Sequence, residues 1–178
     1  MPAPAPSFAA ILLADGADAK GRPLALADLN GAPALGALAY AFEQPNITKR
    51  IIVLGCEAQE VKAELNLPTW SFVYNESWQK GHVAGARVAM QSLPLVDGFF
   101  LAACDENCLR PNSLDALITR YLNVRLRLGR IVTPAGDTGH PCWPWLVDIG
   151  FRQPFVELPD DGKLATVLAA NPTQVHQA

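Results

Sequence analysis

Apolar runs alternate with amphipathic stretches along most of the chain, and this alternation predicts its secondary structure. Continuous apolar runs, such as residues 7–14 (SFAAILLA) and 99–103 (FFLAA), predict strands that are buried on both faces. Segments with apolar residues at helical spacing, such as 81–93 and 111–121, predict helices. Further strands are predicted at 50–54, 70–74, 129–133 and 144–147, and further helices at 33–42, at 58–65 and after residue 162.

This order of elements predicts an α/β fold. Strands that alternate with helices form βαβ units, which assemble into a mainly parallel sheet with helices on both faces. We therefore expect a three-layer, Rossmann-like αβα domain over residues 7–178. Residues 1–6 alternate Ala with Pro and are expected to form an extended tail.

Composition and charge exclude several classes of protein. Half of the 178 residues are hydrophobic and 17% are charged, which is enough apolar surface for a sizeable core. The net charge of −3 argues against a general nucleic-acid binder. No apolar run approaches the roughly 20 residues that cross a bilayer, and the start of the chain is unlike a secretory signal. We expect a cytoplasmic protein with neither nucleic acid nor a membrane as partner.

Asp105 follows the central apolar run 99–103 directly after Cys104. In open α/β sheets, ligands bind beyond the carboxyl ends of the strands, so Asp105 is a candidate ligand for a metal or a substrate. The alternative is that Asp105 caps a turn before Pro111.

The loop 15–23 follows the first predicted strand. Its glycines, Gly16 and Gly21, would let backbone N–H groups approach a phosphate, and Lys20 and Arg22 could neutralise it. The loop has neither the P-loop nor the dinucleotide-binding spacing. The alternative is a plain surface loop.

Histidines, tryptophans and cysteines give weaker signals. His82 and His140 fall near the predicted cleft, with a structural role as the alternative; Trp143 and Trp145 are expected in the core or at the rim, with base stacking as the alternative. The four cysteines contain no CxxC pair and are expected to be free thiols. Their spacing matches no recognised zinc motif, which argues against a zinc site. They all follow predicted strand ends: Cys56, Cys104, Cys108 and Cys142.

Five motifs, in order, resemble those of the MobA-like nucleotidyltransferases, and most closely the cytidylyltransferases of molybdenum cofactor synthesis. Residues 13–24 (LADGADAKGRPL) are similar to LAAGxSxRMGxxK, and residues 75–81 (NESWQKG) are similar to NPxWxxG. Residues 104–107 (CDEN) fall where the family has GDQP, 139–141 match GHP, and 160–162 (DDG) resemble GDxGAR. The resemblance covers residues 8 to 176.

The resemblance implies a magnesium-dependent enzyme that transfers CMP or GMP from CTP or GTP to a phosphorylated acceptor such as molybdopterin. It implies that Asp105 holds the magnesium ion and that Asp105 and Lys20 are catalytic. On the acceptor side it implies Gly81, His82 and His140. The implied nucleotide-binding residues are Leu13, Ala14, Asp15, Gly16, Lys20, Gly21, Arg22 and Asn75.

The chain also departs from the family pattern. Leu24 stands where the family has a lysine, and Asp15 and Asp18 offset the charges of Lys20 and Arg22. We further expect the domain to lack the family's terminal strand. Two alternatives therefore stay open: a catalytically silent relative that binds a nucleotide or a partner through the same cleft, and a sugar-phosphate nucleotidyltransferase. The sequence does not define the oligomeric state.

Overall fold

The computed structural model describes residues 5–104, 113–124, 129–135 and 142–178, and it has a mainly parallel sheet at its centre. Seven strands form this sheet in the order β5–β4–β1–β6–β8–β7–β9, and β2 pairs with β3 in a separate small hairpin. Within the seven-stranded sheet of the described residues, only β8 runs antiparallel to its neighbours. The strands are β1 (Phe8–Ala14), β2 (Asp28–Leu29), β3 (Ala32–Pro33), β4 (Ile47–Leu54), β5 (Ser71–Tyr74), β6 (Gly98–Ala103), β7 (Ile131–Thr133), β8 (Trp145–Asp148) and β9 (Val175–Gln177).

Helices cover both faces of the sheet. Successive side chains of a strand point to opposite faces, and the neighbours Phe99 and Phe100 show this directly. Phe99 packs on Phe155 with ring centroids 6.0 Å apart, whereas Phe100 packs on Phe42 at 5.5 Å. The helices are α1 (Ala34–Ala41), which Phe42 ends, α2 (Ala58–Glu64), α3 (His82–Gln91), α4 (Ser113–Val124), α5 (Arg152–Val156), which contains Phe155, and α6 (Ala165–Ala170). The predicted three-layer αβα fold is confirmed.

The edge of the sheet beside β7 carries a strand that the sequence pattern did not predict. The sequence pattern predicted only a helix after residue 162, but β9 follows and pairs with β7 in parallel. The backbone N–H of Ala178 also donates to the Thr133 carbonyl at 3.0 Å. Backbone hydrogen bonds to the open edge of β7 therefore define this strand. It is too short to show a hydrophobic pattern, so the sequence did not predict it, and the expectation that the family's terminal strand is missing stays a prediction.

The carboxyl ends of four parallel strands meet at one edge of the sheet. Ala14 of β1 lies beside Leu54 of β4, Leu54 lies beside Tyr74 of β5, and Leu13 lies beside Ala103 of β6. The residues that follow these strands therefore share this edge. None of the described helices has the length and hydropathy that crossing a membrane requires.

Candidate functional site

Leu13 and Ala14, two of the predicted nucleotide-binding residues, lie inside β1. Both side chains are buried, and the Leu13 carbonyl accepts a hydrogen bond from the backbone N–H of Cys104 at 3.1 Å. Parallel strands buried on both faces leave their side chains no route to a ligand. These two residues therefore lead the chain to the edge of the sheet where the carboxyl ends of β1, β4, β5 and β6 meet, which we call the ligand edge. Any contact that they make with a ligand would come from their backbone atoms.

Asp18 holds the loop 15–23 in a compact turn. Its Oδ1 accepts hydrogen bonds from the backbone N–H of Lys20 at 2.8 Å and from that of Arg22 at 3.0 Å. Its Oδ2 pairs with the Arg22 guanidinium, with Nη2 at 2.7 Å and Nε at 2.8 Å. The backbone and side-chain hydrogen bonds from Arg22 lower the pKa of Asp18. The carboxylate thus accepts hydrogen bonds from backbone N–H groups and a guanidinium, which are the kinds of donor that bind a phosphate.

Lys20 is the cation of this loop that stays available. Its side chain is exposed, and within the described part of the chain it forms neither an ion pair nor a side-chain hydrogen bond. The loop turns at Gly21, whose φ of 78° favours glycine. The Cys56 thiol donates to the Gly21 carbonyl at 3.6 Å, and burial raises the pKa of this thiol.

Leu24 closes the same loop from its far end. Its backbone N–H donates to the Gly16 carbonyl at 3.1 Å. Its Cδ1 lies 3.2 Å from the position that a Cβ on residue 16 would take, so the half-buried leucine packs on Gly16. The position that the resemblance gives to a lysine therefore supplies an apolar contact in this chain.

Asp15 and Asn75 form a buried polar pair where β1 and β5 end. Asp15 is 1% exposed and Asn75 is 2% exposed. Asn75 Nδ2 donates to Asp15 Oδ2 at 2.7 Å. The same Oδ2 lies against Gly85, where a Cβ would collide with it, so glycine lets α3 approach the carboxyl group. The pair therefore connects β1, β5 and α3, and it fixes the geometry of the ligand edge.

Residues 75–81 lead from β5 into α3. Asn75 Oδ1 accepts a hydrogen bond from the Ser77 backbone N–H at 3.0 Å, and a 3-10 turn follows at Trp78–Lys80. Gly81 then has a φ of 86°, in the left-handed region that favours glycine. Gly81, predicted on the acceptor side, thus sets the direction in which α3 begins at His82.

A pocket of about 420 Å³ lies at the start of α3 and contains the predicted acceptor-side residues Gly81 and His82. We call it the tryptophan pocket, because Trp143 and Trp145 are among its lining residues. Their rings are buried and stack on each other with centroids 4.0 Å apart. Among the described residues, the lining comprises residues 80–83, 162–165, Trp143 and Trp145.

An ion-pair network fixes the acidic segment at 160–162 to α3. Asp160 Oδ2 accepts from Lys80 Nζ at 2.8 Å, and Asp160 Oδ1 accepts from Arg87 Nη1 at 2.6 Å. Hydrogen bonds from Lys80 first, and then from Arg87, lower the pKa of Asp160 to about 2. The sequence analysis missed Lys80 and Arg87, because their pairing depends on how α3 packs against the segment after α5.

Two predicted site residues, Asp105 and His140, lie outside the described residues, as does Cys108. The predictions for Asp105 as metal ligand and for His140 on the acceptor side therefore stay predictions. Within the described ranges, no group of three His, Cys, Asp or Glu side chains could hold a metal ion, and Cys56, Cys104 and Cys142 form no disulfide bond with one another.

Comparison with known protein families assigns the chain. The family model of the MobA-like NTP transferase domain matches residues 9–175. This chain belongs to that family. Membership confirms the resemblance seen in the sequence and supports nucleotidyl transfer in general. The MobA-like domain spans both the loop 15–23 and the tryptophan pocket.

Solved structures share the fold of this MobA-like domain. Rv0371c from Mycobacterium tuberculosis H37Rv is 20% identical, with a TM-score of 0.76 over 98% of this chain and 88% of that chain. Its complex with manganese is also 20% identical, with a TM-score of 0.72 over the same shares. Molybdopterin-guanine dinucleotide biosynthesis protein A from Archaeoglobus fulgidus is 15% identical, with a TM-score of 0.65 over 95% of this chain and 82% of that chain. No curated protein matches the sequence.

Proposed function

We propose that this protein transfers a nucleotidyl group, CMP or GMP, from CTP or GTP to a phosphorylated acceptor, with molybdopterin as the first acceptor to test. The observation that carries the proposal is that the loop 15–23 and the tryptophan pocket both contact the same helix, α3. Asp15 begins the loop and contacts Gly85 of α3, and α3 begins with His82 in the pocket. A donor in the loop and an acceptor in the pocket would therefore be held on one rigid frame.

Lys20 is the residue to which we give the main role at the triphosphate. Transfer of a nucleotidyl group requires that negative charge be stabilised as the acceptor attacks the α-phosphorus and pyrophosphate leaves. Lys20 has no competing partner in the described part of the chain, so its ammonium can meet the phosphates. Arg22 stays on Asp18 and shapes the loop, while Gly16 and Gly21 let the backbone come close.

Magnesium is the metal that we propose, with Asp105 as its carboxylate ligand. Cys104, directly before Asp105, donates its backbone N–H to the Leu13 carbonyl, so the chain leaves β6 beside the start of the loop. Magnesium binds through one or two carboxylates together with phosphate oxygens and water, so a single aspartate here fits it. The ion would neutralise charge on the triphosphate. The manganese complex of Rv0371c supports a divalent metal in this fold.

A silent nucleotide-binding or partner-binding domain is the second candidate, and two observations favour it. Asp18 already accepts from the backbone N–H groups of Lys20 and Arg22. Leu24 packs on Gly16 and offers no charge to a phosphate. A loop with its donors engaged and one cation missing could bind a nucleotide without accelerating transfer.

The first test measures binding. CTP, GTP and ATP are compared by thermal shift with and without magnesium, since a ligand of the native state raises its apparent stability. Lys20→Ala should weaken triphosphate binding by about 1.5–3 kcal/mol, the range for a hydrogen bond to a charged group. Lys62→Ala is the matched control, because Lys62 lies on α2 over the ring of Phe72. Equal affinities of the two variants would place the phosphates elsewhere.

The second test measures turnover. Pyrophosphate release is followed with magnesium, the triphosphate that binds best, and molybdopterin. Release that depends on the acceptor supports nucleotidyl transfer. Nucleotide binding without any release, in protein shown to be folded, supports the silent domain.

A further inference from the structure

The tryptophan pocket combines lysine side chains with tryptophan residues. Lys80, His82 and Lys163 are among its lining residues, and no Asp or Glu from the described residues lines it. Trp143 and Trp145, whose rings stack on each other, also line it. Ammonium groups bind phosphate as point charges, and a dianion is best matched by two of them. The pocket therefore suits a phosphate monoester with a flat, largely apolar body.

Lys80 forms an ion pair with Asp160, which is not among the residues that line the pocket. The ion pair is 2.8 Å long, with the lysine side chain 55% exposed and the aspartate side chain 49% exposed. An ion pair this open to solvent contributes little to stability. Lys80 can therefore exchange its carboxylate partner for another anion at small cost.

Arg87 keeps Asp160 in place when Lys80 leaves. Its Nη1 lies 2.6 Å from Asp160 Oδ1, on the oxygen that Lys80 does not use. Its Nη2 donates to the Leu158 carbonyl at 2.6 Å, and its Nε donates to the Val156 carbonyl at 3.1 Å. Arg87 thus fixes the segment 156–160 through three contacts. Arg87 therefore keeps Asp160 paired, and holds its segment on α3, when Lys80 leaves.

We propose that Lys80 is a specificity-determining residue of the acceptor site, which exchanges Asp160 for the phosphate of the acceptor while Arg87 retains Asp160. This inference rests on the proposed function, because it assigns the phosphorylated substrate to the tryptophan pocket. Lys163 is the second cation that the same phosphate would meet.

The test uses phenyl phosphate, an aromatic phosphate monoester, and measures its affinity by protein-observed NMR at low ionic strength without any nucleotide. Lys80→Ala should weaken binding about tenfold, the loss expected from one charge-assisted contact. Asp160→Asn should strengthen binding about two- to fivefold, because the exposed pair no longer competes for Lys80. Lys62→Ala, on α2, serves as the control and should leave the affinity unchanged.

The opposite responses of the two variants separate exchange from a structural role. If the ion pair merely held the pocket together, Lys80→Ala and Asp160→Asn would both weaken binding, and this result would overturn the proposal. Unchanged affinity in Lys80→Ala, with the fold confirmed by circular dichroism, would overturn it as well. Pyrophosphate release is measured separately, so a failure of nucleotidyl transfer is distinguishable from a failure of phosphate binding in this pocket.

Discussion

The Asn75 side chain gives the sharpest test of how the ligand edge is held together. Asn75→Ala removes the hydrogen bond from Nδ2 to Asp15 Oδ2 and the bond that Oδ1 accepts from the Ser77 backbone N–H. Asn75 and Asp15 are 2% and 1% exposed, so water has little access to replace the lost donor. The carboxyl group of Asp15 would stay buried with one hydrogen bond fewer.

The expected loss of stability follows from these two bonds. Removing a hydrogen-bond donor from a buried carboxyl group costs about 1–3 kcal/mol of stability, and a partly buried neutral hydrogen bond contributes about 0.5–1.5 kcal/mol. We therefore expect Asn75→Ala to lower the free energy of unfolding by about 2–4 kcal/mol. A domain of ordinary stability, about 5–15 kcal/mol, would remain folded and measurable.

The assay is urea unfolding followed by far-UV circular dichroism, with the free energy obtained by linear extrapolation. Asn66→Ala is the matched control, because Asn66 is exposed in the turn after α2 and should change stability by less than about 0.5 kcal/mol. A double-mutant cycle with Asp15→Ala isolates the pair, and we expect a coupling of about 1 kcal/mol or more. Equal losses in Asn75→Ala and Asn66→Ala would refute the reasoning.

Three further predictions concern metal, turnover and pH. Asp105→Ala should abolish magnesium-dependent nucleotide binding, as measured by calorimetry, and unchanged affinity would remove Asp105 from the metal site. Pyrophosphate release should be slow in the protein as it stands, and Leu24→Lys should raise it by up to about 10²–10³-fold, the usual value of one transition-state contact; brisk release by the unmodified protein would contradict this. Hydrogen bonds lower the pKa of Asp18, and they lower that of Asp160 to about 2. Since both values lie below those of the unfolded chain, this stabilisation is complete above about pH 5 and is lost as the pH falls toward 2. The urea midpoint should follow this decline, and Asp160→Asn should flatten it.

Much of the fold could be predicted from the sequence because its central strands are buried on both faces. The seven residues of β1 and the six of β6 are all buried, and such continuous apolar runs identify a strand without any partner. The reversed direction of β8 and the short strand β9 depend on which edge is open in the folded sheet. The five residues of α5 contain Pro154 and are too few to show a helical period.

The sequence could point to candidate site residues only where they closely follow the end of their own strand. Lys20 and Gly21 follow β1 closely, and their motif was visible in the sequence. Asp160 and Arg87 are 73 positions apart, and no pattern connects them. Their ion pair depends on how α3 packs against the chain after α5, which is a property of the tertiary structure.

The arrangement of the charges suggests why lysines and arginines have different places around this site. A guanidinium forms several directed hydrogen bonds at once, so a paired arginine holds its position, whereas an ammonium is a compact charge with a flexible stem. Arg22 contacts Asp18 through two nitrogens, and Arg87 contacts one carboxylate and two carbonyls. Lys20 has no such partner in the described residues, and Lys80 has one exposed partner. The arginines thus hold the loop 15–23 and the segment 156–160 in place, and we propose the lysines as the cations that a phosphorylated ligand recruits without displacing them.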